Sequence, residues 1–229
     1  MTMITKPDHL VVVAHSLQQG VAWCQATLGI APTAGGQHPL MGTHNRIFKI
    51  ENAAYPLAYF EIIAIDPSLP APASGQARWF GMDNPALQAR VRHTPELVHF
   101  VASTTDMTQA CAALALLKED VGQPAMASRA TPHGELWWHI TVRPDGTPQH
   151  AGALPTLIQW GDIHPSANLP DSGVSLMELS VHAPEPQRLR DAYLAIDLHG
   201  VRLDTGRSQL SAQLQTPLGR VTLRSHPDA

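Results

Sequence analysis

Cysteine is scarce: Cys24 and Cys111 are the only two in 229 residues, far apart and without a paired-cysteine motif. That excludes a disulfide-stapled scaffold, and because both fall in helix-like stretches they read as reduced, packed thiols rather than nucleophiles. Charge is scarce too. Charged residues make up 15%, the formal net charge is -4, and there is no Lys/Arg block and no interleaved aromatic series. No basic field exists to hold a phosphate backbone, which excludes nucleic acid as an expected partner. The chain also lacks a run of eighteen apolar residues, and the stretch Met1 to Pro7 lacks the apolar core of a secretory signal. The expectation is therefore a cytoplasmic protein with no membrane partner.

What is present is 44% hydrophobic content, enough to bury a sizeable core as one large domain or two small ones. The chain is organised around Asp8-His9-Leu10-Val11-Val12-Val13-Ala14, an apolar β-branched run with one imidazole at its mouth. Such a run reads as a buried strand whose side chains alternate between two faces. The pattern returns as Val98 to Ala102, with His99 in it, and more loosely as Met177 to Val181. A unit that recurs in this way sets the architecture.

In the first unit, Ser16 caps a helix with Leu17, Val21, Cys24 and Leu28 at helical spacing, and Gly29 stops it. Ala31 to Gly42 reads as a long loop, followed by strands at Arg46 to Ile50 and Tyr55 to Ile65. Glu61 interrupts the second of these, and a carboxylate inside an apolar run is costly unless paired or bound to a cation. Residues 67–95 form a Pro-rich connector whose tail, Arg78 to Asp83, is too apolar for a plain linker and is expected to fold over the core or a site. The second unit repeats the order: a strand from Leu97, a helix capped by Asp106, and strands at Ala125 to Ser128, Glu135 to Val142 and Leu154 to Trp160. After another connector from Ile163, a third unit runs through a strand at Ser175 to His182, a helix from Pro186 to Leu198 and three strands. A hairpin turn at Thr216 to Gly219 joins the last two.

These stretches resemble the vicinal oxygen chelate superfamily, and within it the glyoxalase-like domain proteins. The resemblance rests on Asp8 to Val12 with its helix ending Leu28-Gly29, on Gly42-Thr43-His44-Asn45, on Tyr59 to Pro67, and on Leu157 to Asp162. It implies an α+β fold of repeated βαβββ modules, at 7–66 and 96–162, forming curled mixed sheets around a cleft. Residues 163–229 add a third βαβββ-like module. With no fourth copy, the third module has either to pack on the first two or to build a homodimer, and a homodimer is the expectation.

The resemblance also implies a metal held by the residue opening the first strand and one in the last strand of each module: His9 and Glu61, His99 and Gln159. Two imidazoles, a carboxylate and an amide oxygen suit a divalent transition ion (zinc, nickel, cobalt or iron) that polarises a carbonyl or stabilises an enediolate. Where glyoxalase I usually has a second carboxylate, this chain has Gln159, which leaves Glu61 as the single catalytic base. Glu178, at the corresponding place in the third unit, reads as a salt-bridge residue. His44, Asn45, Arg129, His139 and Trp160 are candidates for contacting substrate, and Trp79 and Trp138 for lining an apolar pocket. Singly, each site residue is as well explained by a local hydrogen bond; the argument is joint. His38, His93, His133, His150 and His226 fall in expected loops and read as solvated. The functional expectation is a metal-dependent enzyme on a small oxygen-rich substrate, of lyase/isomerase or dioxygenase type. The alternatives are a metal-free small-molecule binder, like the bleomycin-resistance members, and a catalytically silent scaffold.

Overall fold

The computed structural model describes residues 3–131 and 134–227. Its centre is a curled eight-stranded mixed sheet in the order β2-β3-β4-β1-β5-β8-β7-β6. One half is built from β1 (Thr5–Val13), β2 (Gly35–His38), β3 (Thr43–Lys49) and β4 (Tyr59–Ile65), the other from β5 (Glu96–Thr104), β6 (Gln123–Thr131), β7 (Gly134–Val142) and β8 (Thr156–Trp160). Each half runs first, fourth, third, second from the middle outward. The halves join where β1 and β5 pair antiparallel, with Val11 opposite His99 and His9 opposite Val101. The paired βαβββ architecture is thus present. β1 is buried on both faces along nearly all its length, as its unbroken apolar run requires.

The helices begin and end where their caps dictate. In α1 (Leu17–Leu28) the Ser16 Oγ accepts the Gln19 N–H, and Gly29, at φ 79°, closes the helix by donating to Gln25. In α3 (Met107–Leu116) Asp106 accepts the Gln109 N–H. Both lie on the convex side of the sheet. The concave side is filled by the connector: Trp79, Phe80, Met82 and, from α2 (Pro85–Val91), Leu87 and Val91 pack on Val11, Val13, Ile63 and Val101. The loop expected over Ala31 to Gly42 contains β2. This short edge strand, opened by two glycines, has little strand propensity of its own and forms because β3 offers it a pairing edge.

The third unit keeps the element order but not the strand order. Its strands β9 (Ser175–Ala183), β10 (Arg202–Thr205), β11 (Gln209–Thr216) and β12 (Gly219–Arg224), with helix α4 (Pro186–Ala195), form a sheet ordered β10-β9-β11-β12. The expected turn joins β11 to β12, and Glu178 pairs with Arg202 at 2.9 Å. Its apolar face, Leu176, Leu179, Val181, Leu210, Ala212 and Leu214, joins one core with Leu10, Val12, Phe60 and Phe100 on the convex side of the large sheet. Tyr55 Oη accepts the Leu179 N–H (3.1 Å), and Tyr193 Oη donates to the Ala153 carbonyl (2.5 Å). The bare face that motivated a homodimer is therefore covered within the chain. Among the described residues, no helix is long and apolar enough to cross a membrane.

Candidate functional site

The concave face carries a chain of buried polar groups running from β1 to β2. Asp8 Oδ1 lies 2.7 Å from His9 Nδ1, and His9 Nε2 lies 3.7 Å from Glu61 Oε2. Glu61 Oε1 accepts from Asn45 Nδ2 at 2.6 Å. That amide is fixed by the Gly36 N–H on its oxygen (2.9 Å), and its nitrogen also meets His38 Nε2 at 3.3 Å. His38 Nδ1 then donates to Thr43 Oγ1 at 3.0 Å. Strand alternation puts these groups together: Glu61 on β4, Asn45 on β3 and His9 on β1 all face inward, toward Ile47, Leu136, Trp138, Ile140 and Ile158. The free space they enclose is about 30 Å³, enough for about two waters.

Asp8 is the anchor of this chain. Besides His9 it accepts from Trp160 Nε1 and His164 Nε2, both at 3.0 Å. His164 Nδ1 accepts the Ser166 N–H (3.1 Å), so its proton sits on Nε2 and points at Asp8. Burial works to raise the Asp8 carboxyl, but the hydrogen bonds from His164 and His9 outweigh it and hold the group well below the usual carboxylate range. An ionised Asp8 can only accept, so His9 carries a proton on Nδ1 and turns Nε2 toward Glu61. Tyr59 stacks on the His9 ring at 4.4 Å and restrains it from the other side.

Glu61 is perturbed the opposite way. Burial raises its carboxyl above the ordinary value, against the pull of His9, Asn45 and Arg129. Burial also pushes His38 down to about 3, aided by the Arg129 charge, and lowers His99 to about 3. A buried carboxylate with raised proton affinity beside an imidazole oriented by a second carboxylate, in an apolar pocket, is the arrangement from which acid–base catalysts are made.

The model of the glyoxalase-like domain family matches residues 8–196. The chain belongs to the glyoxalase-like domain family. No curated protein matches it in sequence. Among solved structures, a hypothetical protein from Staphylococcus aureus superposes with a TM-score of 0.59 at 16% identity, covering 96% of this chain and 85% of that one. The whole architecture, third unit included, therefore recurs elsewhere. A Streptomyces coelicolor methylmalonyl-CoA epimerase (TM-score 0.40, 13% identity, 68% of this chain and 97% of that one) is a more distant structural match. A methylmalonyl-CoA epimerase in complex with methylmalonyl-CoA and NH4+ (0.41, 14%, 70% and 98%) matches to a similar degree.

In this glyoxalase-like protein the cleft brings together His9, Glu61, Asn45, Arg129 and Trp160, with Trp79 and Trp138 in its wall. Four other expected residues lie elsewhere. Gln159 points to the convex face, where its Oε1 accepts the N–H of Met107 at the start of α3 (2.8 Å). Its strand neighbours Ile158 and Trp160 are the ones that face the cleft, since one residue along a strand reverses the face. His139 stands beside Gln159 across the β7–β8 pairing and so shares that outer face, its ring edge-on to Trp137. His44 is likewise one residue out of phase with Asn45 and lies 3.3 Å from Asp66. His99 is on the inner side but apart from the cleft, with the Phe80 ring 5.6 Å away. Its Nε2 accepts the Thr156 N–H at 3.0 Å.

The expected ligand set thus does not assemble: of His9, Glu61, His99 and Gln159, only the first two share the cleft. Among the described residues, no group of three or more His, Cys, Asp or Glu is arranged to hold a metal ion. The donors present among the described residues do not fit the divalent ion that the family resemblance implied.

Sequence reasoning missed Asp8, His38, Tyr59 and His164. Asp8 stood next to the flagged imidazole but was given no role of its own. His38, expected to be solvated, is 8% exposed because β2 carries it to the cleft. Nothing in the connector around His164 announced its bond to a residue 156 positions away. Of the other loop histidines, His93 is exposed, His150 pairs with Glu119 at 2.8 Å, and His133 lies outside the described residues.

Proposed function

We propose that the cleft moves a proton at carbon on a small oxygen-rich substrate, in an isomerase- or lyase-type reaction with Glu61 as the base. The observation that carries this reading is the buried Glu61 carboxylate, its proton affinity raised by burial, set 3.7 Å from His9 Nε2 in an otherwise apolar pocket. Glu61 takes the proton from a carbon next to a carbonyl, and the C–H electron pair moves onto the carbonyl oxygen to leave an enolate. Return of the proton to the same carbon completes an epimerisation; in a 2-hydroxy carbonyl substrate, return to the neighbouring carbon, with the hydroxyl proton passing to the enolate oxygen, completes an isomerisation; expulsion of a leaving group by the same electron pair completes an elimination. His9, held in one tautomer by Asp8, presents Nε2 to receive the proton from Glu61. The cation of the cleft is Arg129. A cytoplasmic setting remains part of the proposal, and so does the lack of a nucleic-acid partner, which the net charge of -4 supports.

A second reading, a receptor pocket without catalysis, is favoured by one observation: Glu61 is already bonded to Asn45, as a static network would require. Proton NMR in D2O with a panel of small 2-oxo acids, 2-hydroxy acids and aldehydes separates the two. The catalytic reading expects deuterium to enter at the carbon next to the carbonyl, and Glu61→Gln to abolish this. Ligands that bind without exchange, or exchange that survives Glu61→Gln, would establish the receptor or another base.

A further inference from the structure

Among the described residues, three buried nitrogens on side chains of the cleft lining have no acceptor: Nε and Nη1 of Arg129, and Nε1 of Trp79. Buried donors are nearly always satisfied, and a guanidinium withdrawn from water without an acceptor is the costliest kind to leave open. The acceptors at hand do not serve them. Glu61 gives one oxygen to Asn45 and turns the other toward His9, and Asp8 is filled by His9, Trp160 and His164. Arg129 nevertheless acts on Glu61 and His38 through space, so its charge is felt in the cleft.

The guanidinium has also been given room. It lies over Gly36 of β2, where any Cβ would clash with Nη1. Gly36 has extended backbone, so the missing side chain, and not an unusual turn, is what the position uses. A cation, three open donors and a free space of about 30 Å³ describe a site for a small anion bearing several acceptor oxygens.

We propose that Arg129 is a carboxylate anchor: the cleft ligand is a short-chain carboxylic acid whose carboxylate oxygens accept from the open nitrogens of Arg129 and from Trp79 Nε1. A carboxylate is favoured over a phosphate by charge, because the cleft lining sets one guanidinium beside the Glu61 carboxylate, which suits a monoanion better than a dianion. This names the ligand class of the cleft and so rests on the small-substrate reading above. It does not rest on Glu61 being a base.

Isothermal titration of the full chain with acetate, propionate, lactate and pyruvate, beside their primary amides and inorganic phosphate, tests it. The acids should bind about tenfold or more tightly than the amides, because the neutral isostere forfeits the charge-assisted bonds. Arg129→Gln should remove that preference and Arg129→Lys keep part of it. Gly36→Ala, which pushes aside only the far end of a flexible side chain, should weaken the acids several-fold while the melting curve stays in place. Glu61→Gln should still bind the acids, so loss of proton exchange in that variant leaves the anchor standing. Equal affinity for acid and amide, no acid binding to the wild type, tighter binding of phosphate, or an Arg129→Gln protein that binds as the wild type does would each overturn it. The acid–amide comparison is made on the unaltered chain and holds even if Arg129→Gln fails to fold.

Discussion

Replacing Asp8 by Asn tests whether one buried carboxylate organises the cleft. Asp8 receives three N–H groups, from His9 at 2.7 Å and from Trp160 and His164 at 3.0 Å. Two effects compete. Burial favours the neutral group, whereas the donors favour the anion, and the depressed Asp8 pKa says that the donors win. Asn resembles the neutral acid, so the sign of the change is destabilising. For the magnitude, a hydrogen bond to a charged group contributes about 1.5–3 kcal/mol and a neutral one about 0.5–1.5. Downgrading three bonds should therefore cost about 2–4 kcal/mol. In a domain of this size each kcal/mol moves the midpoint by roughly 2–4 °C, so the melting temperature should fall by about 4–16 °C.

The variant also has a local signature. An Asn nitrogen facing His9 Nδ1 converts that atom to an acceptor and moves the imidazole proton to Nε2, toward Glu61. Nitrogen NMR of labelled histidine reads this tautomer directly, and urea unfolding reads the stability. In the wild type the Asp8 contribution is complete above the ordinary carboxylate range and is lost as pH falls through the depressed folded value. An Asp8→Asn protein with an unchanged urea midpoint and its proton still on Nδ1 would refute the account of Asp8 as anchor.

Two further expectations follow from the buried groups. His38 and His99 titrate near 3 in the folded chain and near 6.5 when unfolded, so between those values the unfolded state holds one more proton per ring. Stability should rise with pH across that window by up to about 1.4 kcal/mol per unit for each ring. Glu61, with its raised folded value, acts in the opposite sense just above its ordinary pKa. Urea midpoints at stepped pH should show this slope, and His99→Gln should flatten it by one proton equivalent; an unchanged slope would remove His99 from the account. Gln159→Ala should cost about 1 kcal/mol by stripping the acceptor from the Met107 N–H, and should leave ligand binding in the cleft untouched. A large loss of cleft binding in that variant would restore Gln159 to the site.

The sequence by itself determined the elements and their repetition. Period-two runs, caps such as Ser16 and Asp106, and the stop at Gly29 are local signals, and local physics placed helices α1 and α3 and every strand of the two halves except β2 within a few residues. It also singled out as candidates His9, Glu61, Asn45, Arg129 and Trp160, which the fold brings to one cleft, because polar groups in or beside apolar strands stand out against their neighbours. Tertiary structure alone decided which face each residue took. Gln159 and Trp160 are adjacent, and only the pairing of β8 with β5 and β7 sends the indole to the cleft and the amide to α3. β2 forms only because β3 presents an edge, and that pairing turns His38 from a loop residue into a wall of the cleft. Asp8 becomes the anchor of the cleft only when segments 156 residues apart meet, bringing His164 to it. The third unit shares the element order of the others, yet its strand order and its place on the convex face follow from the apolar surface left open between α1 and α3. Contacts between distant segments leave no periodic trace in either segment, which is why the ligand set drawn from repeated pattern held two of its four members together and lost the others to strand parity and packing.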